Sequence, residues 1–156
     1  MNGTHLHLIF THLPLVGLGF ALLVHLYAIY RKNPEIMTLS RLLYILVGVA
    51  SLLAYLTGDG AEEIMKTYPG VTEDMTELHE HFALAFLIGT MVTACLSMAG
   101  LYFSSRKEFL VKKTNLVTLI VAILICIVAV ETAITGGQIR HTEFRDGAYK
   151  EVKSEK

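Results

Sequence analysis

Seven histidines stand in this sequence, and they are grouped. His5, His7 and His12 open one long apolar run, His79 and His81 open another, and His141 follows a third, while His25 stands apart. Carboxylates accompany them: Glu62 and Glu63 shortly after Thr57-Gly58, Glu80 between two histidines, Glu131 inside the last apolar run. A neutral imidazole ligates transition metals and haem iron. A carboxylate can complete a metal shell, orient a ligating imidazole or carry a proton. The set His7, His12, Glu62, His79, Glu80 and His141 therefore has several chemical readings. One is axial ligation of haem by imidazoles from facing helices. A second is a mixed imidazole–carboxylate site for zinc, iron or copper, single or paired. A third is a polar rim that docks a partner complex and holds no cofactor.

Motifs for other chemistries are missing. The sequence has no phosphate-binding glycine loop, zincin helix, C-x-x-C pair or Ser-centred triad pattern. The Glu-x-x-His pair common in bundle di-metal sites is also missing at useful depth, since Glu77 precedes His79 by two residues. A formal net charge of −1 without a basic stripe argues against a nucleic-acid partner. Cys95 and Cys126 lie inside apolar runs and read as small packing residues rather than a disulfide framework.

The elements that must position these groups are four apolar runs, from about His5 to Tyr30, Met37 to Thr57, Glu77 to Phe103 and Lys113 to Gly136. Apolar residues make up 53% of the chain, and the runs hold the excess. Each run has the roughly 20 residues that a helix needs to cross a hydrocarbon core. They are too long for strands, and only helices or closed barrels satisfy every backbone polar group in lipid. The last run has no polar face to show to water. No charged n-region precedes the first run, so it reads as a retained helix rather than a signal peptide. The expected fold is all-α: an integral membrane up-down-up-down four-helix bundle over residues 1–145, with a charged, mobile tail over 146–156.

Loop charge sets the expected orientation. Arg31, Lys32 and Arg41 flank the first connection, and Arg106, Lys107, Lys112 and Lys113 the third, whereas the acidic second connection carries only Lys66. The positive-inside rule then puts both termini outside. Arg140, Arg145, Lys150, Lys153 and Lys156 beyond the last run pull the other way. At about 1.5 Å per residue, His25 lies roughly 20 Å beyond His12. Six histidines thus gather at one end of the bundle.

Local expectations follow. Pro14 in the first helix frees a carbonyl one turn back, close to His12. Thr76 caps the third helix and sets His79 at its third position. Glu131 should face the interior, because a carboxylate in lipid costs on the order of 3 kcal/mol. Gly58, Gly60, Gly136 and Gly137 read as turn glycines after the second and fourth helices. Gly17, Gly19, Gly89 and Gly100 read as close-packing positions.

Four motifs carry a resemblance. His7-Leu-Ile-Phe-Thr-His12-Leu-Pro14, Thr57-Gly58 with Ala61-Glu62, His79-Glu80 with Ala83, and Gly136-Gly137-Gln138-Ile139-Arg140-His141 occur in that order. Together they resemble a family of uncharacterised four-helix bacterial inner-membrane proteins (domain-of-unknown-function family 2231). That family is itself distantly similar to membrane cytochromes b, which hold haem between helices with histidines. The resemblance implies a b-type haem electron-transfer protein, or a subunit of a respiratory or redox complex, rather than a stand-alone enzyme. Within that reading His12 and His79 are the axial pair, His7 or His141 the substitute, and Arg140 a partner for a propionate. Glu131 is then an outer acceptor for a ligating histidine, and a quinone or a larger membrane redox complex is the partner beside the bilayer. The bare-metal and structural readings stay open next to it.

Overall fold

The computed structural model describes residues 3–104 and 107–141, with side chains from residue 7 onward. The expected tail, the His5 side chain and Arg106 lie outside the described residues. Within them the chain is all-helical: α1 Gly3–Arg31, α2 Pro34–Leu56, α3 Gly58–Met65, α4 Glu73–Phe103 and α5 Glu108–Arg140. Four helical stretches, His7–Arg31, Pro34–Met65, Glu73–Phe103 and Glu108–Arg140, are long and apolar enough to cross a membrane.

Helix ends follow local chemistry. Asn33 caps α2: its Oδ1 accepts from the backbone N–H groups of Glu35 and Ile36 at 2.8 and 3.1 Å, and Pro34 takes the first position, where no N–H is needed. Three expectations are corrected. Helix α4 starts a turn earlier than expected, so Thr76 is no cap; buried within the helix, it donates to the Glu73 carbonyl at 2.9 Å. Helix α5 continues to Arg140, so Gly136 and Gly137 are helical and no turn glycines. The acidic segment after α2 is no loop but α3, which sets Ala61 and Met65 inward and leaves Asp59, Gly60 and Glu63 exposed. A positive-φ glycine occurs only at Gly70 among the described residues.

Packing places small and hydroxyl-bearing residues inside and large aliphatics outside. Leu18, Ala21, Tyr44, Val47, Phe86 and Ala122 form the core, drawn from α1, α2, α4 and α5. Around it Ser51, Thr90, Thr93, Ser97 and Thr118 are buried, while Leu23, Leu46 and Ile127 are each 63% exposed. Thr76, Thr90, Thr93, Thr132 and Thr135 return their hydroxyl protons to carbonyls of the preceding turn, Thr90 to Phe86 at 3.0 Å. Thr132 also reaches across, from α5 to the Phe82 carbonyl of α4 at 3.2 Å. The start of α1 meets the end of α2, and the start of α4 meets the end of α5. Two glycines set the close approaches. A Cβ on Gly48 would meet that of Ala94 at 2.9 Å, and one on Gly89 would collide with the Ile125 side chain.

Gly89 and Gly19 form a paired test. A Cβ on Gly19 meets nothing within 4 Å. Gly19→Ala is therefore expected to hold or raise the thermal midpoint in detergent, since Ala gains about 1 kcal/mol of helix propensity over Gly. Gly89→Ala has to displace Ile125 and should cost a net ~1–3 kcal/mol through overpacking. Equal midpoints for the two variants would contradict this packing.

Candidate functional site

At the end of the bundle where α1 and α4 begin, α1, α2, α3, α4 and α5 enclose a cavity of about 390 Å³. Its wall is largely apolar, with Leu8, Leu15, Met65 and Phe86 among the lining residues. His7, His12, His79 and His141 all line it, as do Glu62, Glu80 and Arg140. The sequence-level set thus converges on one space.

The histidines are not equivalent. His7 and His79 are half-buried, whereas His12 and His141 are exposed. The Nδ1 of His7 lies 3.0 Å from the Ala54 carbonyl oxygen and 3.4 Å from the Thr57 hydroxyl. A carbonyl only accepts, so Nδ1 carries the proton and donates. The Nδ1 of His79 lies 3.0 Å from the Thr135 hydroxyl oxygen. That hydroxyl gives its own proton to the Glu131 carbonyl at 2.9 Å, so it accepts from His79. Both rings are therefore fixed as the Nδ1–H tautomer, and Nε2 keeps its lone pair. Neither Nε2 has a hydrogen-bond partner among the described residues. The two rings also lie within electrostatic reach of each other.

The two settings repeat. Each histidine lies in the first two turns of its helix and bonds near the C-terminal end of the next long helix, beside a Thr-Gly pair: Thr57-Gly58 for His7, Thr135-Gly136 for His79. Each ring also rests on the glycine of that pair. A Cβ on Gly136 would stand 3.0 Å from Cε1 of His79, and one on Gly58 would stand 3.8 Å from Cε1 of His7. Gly136 thus serves as space for an imidazole. The signal was in the sequence, as Thr-Gly at the ends of the second and fourth runs mirroring His at the starts of the first and third.

Around the cavity the remaining groups take separate roles. Glu62 is half-buried and pairs with Lys66 at 2.8 Å; that hydrogen bond and the carboxylate's charge hold the exposed Lys66 ammonium above its ordinary pKa. Arg140 lies over the Tyr68 ring, 5.9 Å from its centroid. Glu80 is exposed. His81, next to Glu80, turns back to the Glu77 carbonyl of its own helix at 2.7 Å and does not line the cavity. Glu131 departs from expectation. It is exposed on the outer face of α5, and only its backbone carbonyl supports the site, through Thr135. Among the described residues, no three His, Cys, Asp or Glu side chains are grouped so as to hold a metal ion.

Replacing Thr135 with Val removes the acceptor of His79 while keeping its shape. Thr135→Val should cost about 1 kcal/mol in stability. Imidazole-nitrogen NMR should show His79 leaving a single tautomer for a mixture, with His7 unchanged. An unaltered His79 spectrum would count against the assignment.

No protein-family model, curated protein or solved structure matches this chain, so the site is read from its own geometry.

Proposed function

We propose that this chain is an integral protein of the bacterial inner membrane that binds a b-type haem through His7 and His79 and serves electron transfer. The observation that carries the reading is the pair of half-buried imidazoles with Nδ1 engaged and Nε2 free, lining one cavity. Haem asks for one or two axial imidazoles and an apolar slot, whereas a bare zinc, iron or copper site asks for three or four ligands. The absence of a three-ligand group among the described residues favours the first donor set. His7 takes the place first given to His12, because His12 is exposed and His7 is oriented by a second helix.

Outward large aliphatics and inward Ser, Thr, Ala and Gly support membrane insertion, where lipid tails cover what water would not. The contacts between the start of each odd-numbered span and the end of the next support an up-down-up-down course. Bound there, haem would supply a one-electron carrier. The chain's own groups hold the ligand imidazoles in one tautomer, exclude water with Leu15 and Phe86, and offer Arg140 to a propionate. A quinone or a larger redox complex is the partner class that chemistry calls for. The resemblance to family 2231 agrees with this reading and rests on the four motifs alone. Glu62, Glu80, His12 and His141 line the same cavity, which keeps a bare-metal centre as the second reading.

The purified protein should show a sharp reduced-minus-oxidised b-type spectrum, abolished in His7→Ala and in His79→Ala and kept in His81→Ala. A colourless protein with stoichiometric zinc, iron or copper would move the function to the second reading. A colourless protein without metal would leave a structural subunit. For orientation, a tag on the C-terminal tail should be cut by protease from the outer face, and its protection would reverse the assignment.

A further inference from the structure

Towards the far end of the bundle lies a second polar cluster that the cavity does not use. Arg41 on α2 is 5% exposed and His25 on α1 is 1% exposed, while Tyr44 is fully buried. Arg41 and Tyr44 are three residues apart on one helix face, and the His25 and Tyr44 rings meet edge-on with centroids 5.8 Å apart. Arg41 lies within electrostatic reach of His25. From α5, Asn115 accepts from Arg41 Nη2 at 2.9 Å. From α4, Gly100 makes room for the guanidinium; a Cβ there would stand 2.9 Å from Nε. Every long helix thus contributes.

The hydrogen-bond inventory is lopsided. Arg41 Nε, the Tyr44 hydroxyl and both ring nitrogens of His25 are buried without a partner. A guanidinium does not shed its proton, so the site carries a full positive charge. No carboxylate pairs with it among the described residues. A buried charge without a counter-charge is strongly unfavourable. Arg41 Nε and the Tyr44 hydroxyl present an N–H and an O–H, and a neutral His25 presents one more N–H, so an occupant that accepts from them and is negative also balances the guanidinium. These atoms are sealed from solvent, which limits that occupant to the size of one or a few atoms.

We propose that Arg41, Tyr44 and His25 form a binding site for a small inorganic anion of the halide class, held as the counter-charge of Arg41 inside the bundle. The proposal is independent of the haem reading, because it shares no residue with the cavity. Chloride is the probe, with gluconate, too large for a sealed site, as the control at equal ionic strength and pH. Chloride should raise the thermal midpoint of the full chain in detergent by roughly 2–4 °C over gluconate. The protein should also broaden the chloride NMR line. Tyr44→Phe keeps the ring against His25 and deletes the donor; it should at least halve both effects. Arg41→Gln should abolish them, and if that variant fails to fold, Tyr44→Phe decides. Equal midpoints in chloride and gluconate, or chloride effects unchanged in Tyr44→Phe, would overturn the proposal.

Discussion

An imidazole withdrawn from water has to give its N–H to an acceptor, and in a helical bundle most backbone acceptors are already taken. A carbonyl has two lone pairs and can take a second donor, and a side-chain hydroxyl that gives its own proton to the backbone can accept as well. His7 and His79 sit at helix starts, level with the ends of the helices packed beside them. The Ala54 carbonyl, which also takes Thr57, and the Thr135 hydroxyl within α5 supply the acceptors. From this one constraint follow the tautomer of both rings, the free Nε2 on each, and the need for a glycine beside them. Gly136 is the sharper case, since an alanine methyl would press on the His79 ring.

The same constraint explains the make-up of the interior. Threonine reaches the middle of the bundle because the hydroxyls of Thr90, Thr93 and Thr132 can return their protons to carbonyls of their own helix. Small side chains then let the helices approach. Gly48 against Ala94 and Gly89 against Ile125 bring α2, α4 and α5 close enough for one helix to serve the histidine of another. Large aliphatics are left on the outside of helices long and apolar enough to cross a membrane. Packing and site chemistry are therefore set by the same short-range geometry.

The two ends of the bundle differ in charge logic. The cavity end gathers neutralisable groups, imidazoles and carboxylates, several of them open to solvent at the rim. The far end buries a guanidinium that stays charged, with the neutral Asn115 its hydrogen-bond partner among the described residues. A bundle so arranged has one end suited to exchange with its surroundings and another closed over a fixed charge.

Four long apolar helices were legible in the sequence, because a hydrophobic run of sufficient length needs no tertiary information. So was the gathering of His7, His12, His79 and His141 at one end, since helix rise turns sequence position into depth. Hydropathy did not separate α3 from a loop, as its eight residues are polar on one side and buried on the other only where α1 lies. Nor could it place Glu131, whose side of α5 depends on rotation about the helix axis and hence on packing. Spacing likewise left His7 and His12 as rivals; they lie five residues apart, and α2 and α3 decide which of them is held. What the sequence determined by itself was depth along each helix. What only the tertiary structure decided was azimuth: which imidazole meets the Thr-Gly pair of its neighbour, and which faces away.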